Sequence, residues 1–332
     1  MRFLAALWVL PTLVFAEVFP EEIISSASLT SQAGQTLQDW ADRPIETPNV
    51  SDQDDPDNVR TLAAALMFVR TGEATYAERV QRSLDRVQGS ERGARILAVG
   101  REVAAYVIAA DLIQLNGPAE DKFKRWLRDI QHRRFRGMSL REAHEIRPNN
   151  WGTHAGASRL AIAMYLNDRQ EIERAAHVFK GWLGESDGWQ GFVFGKRSWQ
   201  AHWWRNFAIN PEGAFLNHRS VDGVLPDDQR RGGTFRWPPP KENYVYEALQ
   251  GAVLQAILLD SLGYPVWEWG DRALYRAMNW LHEQANYPAE GDDTWIPYVI
   301  NHFYQVSFPV RSVTRPGKGF GFADWLYPMA QP

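Results

Sequence analysis

The chain contains no cysteine among its 332 residues. That excludes disulfides and thiolate metal sites, so burial of a core must stabilise the fold. It also lacks a surplus of positive charge. With a formal net charge of -4 and a pI near 6.1, a general nucleic-acid binder is excluded, while a local basic groove stays open. Metal-ligand spacing is missing too: His132, His144, His177, His218, His282 and His302 form no HExxH or comparable pattern, so no metal and no cofactor is expected. Asp52, Asp54, Asp55 and Asp57 do not follow an EF-hand loop and read as a solvated acidic loop.

Long apolar runs are scarce after the first residues. Met1-Arg2, the apolar run from Phe3 to Phe15 and Ala16 before Glu17 describe a secretory signal peptide, residues 1–16, too short to span a membrane. The mature protein is therefore expected to be secreted or periplasmic and free of the membrane after cleavage; a monomer is the separate expectation for its assembly. The lone sequon Asn49-Val50-Ser51 does not by itself assign a eukaryotic source.

Aromatic residues and helical periodicity are abundant. The 15 Trp, 11 Tyr and 16 Phe suit both a core and a sugar-binding cleft. Residues 17–57 read as an N-terminal extension and loop, Pro44 to Asp57 being rich in Pro, Asp and Ser. From residue 58 to 332 helical spacing dominates, over Asn58–Arg70, Tyr76–Val87, Ala94–Leu115, Glu120–Gln131, Asn150–Leu166, Glu171–Leu183, Glu242–Leu262, Arg272–Ala285 and Trp295–Tyr304. The helix from Asn150 reads as amphipathic. Short connections such as Asn116-Gly117-Pro118 and Gly263-Tyr264-Pro265 join neighbouring antiparallel helices. Many hairpins of this kind imply an all-α (α/α) toroid with a long irregular loop region. That region is Gly184 to Pro240, and its length points to function.

Two clusters carry candidate chemistry. In Pro148-Asn149-Asn150-Trp151-Gly152-Thr153-His154, Asn150 and His154 stand at i and i+4 on one helix face, where an amide can hold a carboxylate and an imidazole can move a proton. In that reading Asn149 caps the helix; the plainer alternative makes Asn150 the cap and His154 a hydrogen-bonded core histidine, and Trp151 is either a sugar platform or core. The second cluster is Asp222-Gly223-Val224-Leu225-Pro226-Asp227-Asp228-Gln229-Arg230-Arg231-Gly232, followed by Tyr244-Val245-Tyr246-Glu247-Ala248-Leu249. Arg231 carries a fork matched to a carboxylate. Tyr244 and Tyr246 point to different sides, so only one of them serves a cleft. β-Elimination from a 4-linked uronate needs this set: a neutralised carboxylate, a base for the C5 proton and an acid for O4.

These motifs in this order, followed by WIPYVINHFY and GKGFGFADW, resemble the alginate lyase superfamily with the (α/α) toroid fold, over roughly Asn58 to Tyr327. The resemblance implies a site in which Asn and Arg neutralise the carboxylate and Tyr is the acid, carried here by Asn150, Arg231 and Tyr244. Trp151 stands where that pattern has an adjacent His, so His154 is the substitute, and either His154 or Tyr244 is the base. An insertion from Gly233 to Asn243 makes Arg236 a second candidate partner for the carboxylate. Asn149, Trp151, Tyr246, Arg236 and the segment with His202, Trp203 and Arg205 are expected to bind substrate. The departures also fit a related lyase family acting on glucuronan as well as mannuronan.

The resulting expectation is an exported endo-acting polyuronate lyase whose partner is an anionic polysaccharide, mannuronate-rich alginate or glucuronan. Its rivals are a hydrolase on the same toroid, which would need a carboxylate pair drawn from Asp222, Glu242 and Glu247, and a non-catalytic sugar-binding protein.

Overall fold

The computed structural model describes residue 19 and residues 21–329; the leader expected at 1–16 lies outside them. In chain order the helices are α1 (Glu21–Ser26), α2 (Gln32–Asp42), α3 (Asp57–Thr71), α4 (Ala74–Val87), α5 (Ile96–Leu112), α6 (Gly117–His132), α7 (Leu140–Ile146), α8 (Asn150–Tyr165), α9 (Arg169–Trp182), α10 (Pro226–Gln229), α11 (Asn243–Asp260), α12 (Trp269–Glu283), α13 (Ile296–Tyr304) and α14 (Ala323–Leu326). Among the described residues the only strands are β1 (Phe215–Leu216) and β2 (Arg219–Ser220), an antiparallel pair. The chain is all-α, and its helix hairpins form an (α/α) toroid.

Two kinds of helix alternate, for a reason visible in their composition. In α4 the buried residues Tyr76, Val80, Ser83, Leu84 and Val87 form one stripe, and in α6 Phe123, Trp126, Leu127, Ile130 and Gln131 do the same. A helix apolar on one face lies on the outside. By contrast α5, α8 and α11 are buried on nearly every side. They form an inner succession in which α3 packs on α5, α5 on α8 and α8 on α11, while α4 backs α3 and α9 backs α8. The expected amphipathic character of the helix from Asn150 is thereby corrected: in α8 only Trp151 and Tyr165 escape burial, because neighbours cover it on both flanks.

The inner helices approach closely through glycine. A Cβ on Gly251 of α11 would lie 2.5 Å from the backbone nitrogen of His154, and one on Gly100 of α5 would lie 2.9 Å from that of Ala155. With α8 pinned from both sides, the side chains around His154 have fixed positions.

Residues 17–57 contain α1 and α2 as well as loop. Helix α2 packs on α3 and touches α14, and Trp325 Nε1 donates to the Ser28 carbonyl. The acidic loop is less solvated than expected. Asp57 is buried and pairs with Arg60 at 2.8 Å, and Asp55 accepts from the backbone N–H groups of Asn49 and Asp57. All four of its carboxylates are engaged, Asp52 accepting from the Asp54 N–H and Asp54 pairing with Lys318. Segment 184–240 lacks any long helix, as expected, and holds the β1–β2 pair and α10.

The glycine contact predicts that Gly251→Ala forces α8 and α11 apart and lowers unfolding free energy by about 1–3 kcal/mol, the usual cost of overpacking. Urea unfolding midpoints measure it, and an unchanged midpoint would contradict the close approach.

Candidate active site

The N-terminal end of α8 is held by two aspartates of α10. Asn149 caps the helix by accepting from Trp151 N–H, and its Nδ2 donates to Asp227 Oδ2 at 3.0 Å. The backbone N–H of Asn150 donates to Asp228 Oδ1 at 3.2 Å. Carboxylates at a helix start satisfy its free N–H groups and its positive end. Asp228 is fully buried, and that burial holds its carboxyl well above the usual range, with the Asn150 N–H opposing. The Asn150 Nδ2 is covered and has no hydrogen-bond partner among the described residues.

One turn on, His154 is buried. Its Nε2 lies 3.9 Å from Glu247 Oε2 on α11 and has no hydrogen-bond partner among the described residues. Burial first, then the charges of Arg101 and Lys318, keep this imidazole well below its ordinary pKa. It is therefore neutral near pH 7. Glu247 is itself ion-paired with the buried Arg101 of α5, and burial raises its pKa although Arg101 opposes the shift.

Tyr244 stands in the first turn of the same helix, three residues before Glu247. It is 38% exposed, and the Arg231 guanidinium sits 4.5 Å from its ring centroid. Arg231 also bears electrostatically on Asp228, so α10 and the turn after it connect the ends of α8 and α11. The structure thus gathers Asn149, Asn150, His154, Arg231 and Tyr244 at one end of the inner helices. The covered atoms are the amide and imidazole; the exposed ones are the tyrosine and arginine.

The remaining candidates divide. Arg236 is solvent-exposed on the insertion, whose course is fixed by a bond from Trp199 Nε1 to the Gly233 carbonyl and by Trp237 beneath Arg219. Trp151 is half-buried with Arg147 over its ring at 5.9 Å. His202 stacks on Trp204 with centroids 4.3 Å apart, and Trp203 is 91% exposed. His202 and Trp203 share a cavity of about 520 Å³ with Phe194, Lys196 and Arg197. This cavity adjoins the α8 terminus, since the Gly195 N–H donates to the Asp227 that holds Asn149. Arg205 instead tethers the loop, bonding the Gly184 carbonyl and lying on the Phe207 ring.

Tyr246 is a correction. It is 0% exposed, and its hydroxyl donates to the Tyr287 carbonyl at 2.7 Å, so it packs in the core and cannot reach substrate. Sequence reasoning also missed Arg101, and it weighed Glu247 only as half of a hydrolase pair. The available signal was Arg101-Glu102 inside the otherwise apolar run of α5, because charges are seldom fully buried without a partner.

The fold is an all-helical toroid, and an exposed tyrosine under an arginine stands at the start of one of its inner helices. The family model described as alginate lyase matches residues 32–290. The chain belongs to the alginate lyase family and is a polysaccharide lyase. Among solved structures it is similar to alginate lyase A1-III from Sphingomonas species A1, at 11% identity with a TM-score of 0.63, covering 96% of this chain and 97% of that one. A histidine-to-alanine variant of A1-III complexed with a tetrasaccharide also matches, at 11% identity and a TM-score of 0.60, covering 96% of each chain. So does an alginate lyase from Bacteroides ovatus, at 12% identity and a TM-score of 0.52, covering 87% of this chain and 92% of that one. These likenesses establish the shared fold. Among curated proteins no sequence matches the chain.

The burial of Tyr246 predicts that Tyr246→Phe costs about 1 kcal/mol of stability, the worth of one hydrogen bond, and leaves KM unchanged. Thermal melting and initial rates test the pair, and a raised KM would return Tyr246 to the binding surface.

Proposed function

We propose that this lyase cleaves a 4-linked polyuronate, mannuronate-rich alginate or glucuronan, by β-elimination and leaves unsaturated uronate ends. The observation that carries the reading is the pairing of exposed Tyr244 with Arg231, on the elements whose Asp228 holds the Asn150 N–H and whose Glu247 lies 3.9 Å from His154. Arg231 supplies a fixed charge for the sugar carboxylate and stabilises the enolate-like charge that develops there. Arg236 is the alternative partner, but Arg231 is the one in contact with the tyrosine.

In a β-linked mannuronate or glucuronate, the C5 proton and O4 lie on one face of the ring. The Tyr244 oxygen, as phenolate, takes the C5 proton. The C5–H electron pair forms the C4–C5 double bond as the C4–O4 bond breaks, and O4 recovers the proton from the same tyrosine. The covered Nε2 of His154 supports this assignment over His154 as base, leaving the imidazole to position its neighbours. Asn150, whose amide is covered as well, acts from beneath as a positioning group on the carboxylate side of the pocket. The cavity at Trp203, His202, Lys196 and Arg197 offers an aromatic face and cations to further sugars of an anionic chain, which suits endo action.

No hydrolytic pair emerges from the candidate carboxylates. Asp222 is bonded to Arg276 at 2.6 Å, Glu242 caps α11, and Glu247 is paired with Arg101. Export belongs to the same reading and rests on the leader pattern. Among the described residues, no helix is long and apolar enough to cross a membrane.

Tyr244→Phe is expected to lower kcat by at least about 100-fold, the lower end of what a positioned acid or base contributes, with the circular dichroism unchanged. The assay follows the ultraviolet absorbance of the unsaturated product on polymannuronate, polyguluronate and glucuronan. Full turnover by the variant would remove Tyr244 from the mechanism, and reducing ends without absorbance in the parent enzyme would make it a hydrolase.

A further inference from the structure

The glycine-rich strap 317–321 lies against the same inner helices. A Cβ on Gly319 would lie 2.6 Å from the Arg101 carbonyl oxygen, and one on Gly317 would lie 2.6 Å from Gln250 Oε1. Only glycine permits both approaches. Between them the Lys318 N–H donates to Gln250 Oε1 at 2.7 Å. Gln250 is six residues beyond Tyr244 on α11, about 9 Å along the helix axis. Lys318 is thereby anchored to the helix that carries Tyr244 and Glu247.

Its Nζ lies 2.7 Å from Asp54 Oδ1 and 3.5 Å from Asp292 Oδ2. Arg101 Nη1 lies 4.0 Å from the same Asp54 oxygen. The two cations are unlike the carboxylate they share. The Arg101 side chain is 5% exposed and that of Lys318 18%, whereas Asp54 is 59% exposed on a surface loop. Moreover, Arg101 Nε and Trp295 Nε1 are buried donors without a hydrogen-bond partner among the described residues. The cations are built into the core, and the anion is hung over them from outside.

We propose, resting on the lyase reading above, that Lys318 and Arg101 form a subsite for a uronate carboxylate of the bound polysaccharide, which Asp54 occupies in the free enzyme and vacates when the chain binds. A uronate carboxylate has the charge and geometry of the Asp54 group, so either can bridge the two cations. Both together would not fit electrostatically. Asp292 and Glu247 already engage Lys318 and Arg101, and a further carboxylate without the loss of one would leave excess negative charge in a poorly solvated place. The bond to Lys318 lowers the Asp54 pKa, so the displaceable group is an anion throughout the neutral range.

Binding of a mannuronate oligosaccharide is measured by calorimetry in the full-length Tyr244→Phe protein, which holds the sugar without turnover. Adding Asp54→Asn is expected to tighten binding about 3- to 10-fold, as removal of a competing charge-assisted contact should. Lys318→Met should weaken it about tenfold and flatten its salt dependence, while Lys318→Arg retains it. Combined with Lys318→Met, Asp54→Asn should lose its benefit. Unchanged or weaker binding by Asp54→Asn overturns the proposal, as does a fall in melting temperature for both variants with no change in affinity, which marks a mere staple. The lyase reading fails separately, by absence of unsaturated product from the parent enzyme, and the calorimetry still decides the subsite in that event.

Discussion

The contact on which everything else depends is the close approach of α5 and α11 to the two flanks of α8. Gly100 and Gly251 allow backbones to touch where any side chain would hold them apart. At that separation Glu247 reaches Arg101 across the interface and lies beside His154. A longer spacing would leave each of these groups buried without its partner. Such groups cost several kcal/mol each when uncompensated, so the packing and the electrostatics stand or fall together.

That arrangement also divides labour between covered and exposed groups. Asn150 and His154 sit beneath the surface, where burial keeps the imidazole neutral. Tyr244 and Arg231 sit above, where a polymer can reach them. A proton-transfer group works best held by neighbours that do not themselves titrate in the working range, and a neutral imidazole meets that condition. A second buried network, in which Arg159 Nε donates to Glu171 at 2.7 Å and the guanidinium is ion-paired with Glu145 at 3.1 Å, is further along α8. It joins α8 to α7 and α9.

The irregular segment gains its order from the same site. Asp227 accepts from Asn149 and from the Gly195 N–H, so one carboxylate ties the α8 terminus to the loop bearing Lys196 and Arg197. The loop is therefore an extension of the cleft with a fixed position relative to the tyrosine. Its tryptophans Trp203 and Trp204 are exposed, as the proposed binding of further sugars requires.

The sequence by itself determined the long helices from α3 onward but not α1, α2 or the short α7, α10 and α14, because apolar spacing and Gly-Pro punctuation are local signals that a short helix carries weakly. Helices such as Asn243–Asp260 and Ile296–Tyr304 fall within a residue or two of expectation. It also determined the polar candidates at the starts of α8 and α11, since motif order is written along the chain. It did not separate Tyr244 from Tyr246, because the side a residue faces near a helix start depends on what packs there. It read α8 as amphipathic, since small residues such as Ala155, Gly156 and Ala157 look the same in a half-buried helix and in one enclosed on both flanks. Arg101, Glu247, Lys318 and Asp54 are separated by scores of residues, and only the tertiary structure decided that they meet. Charge pairing across helices has no sequence period, because it is set by the distance between backbones, and here that distance is set by two glycines.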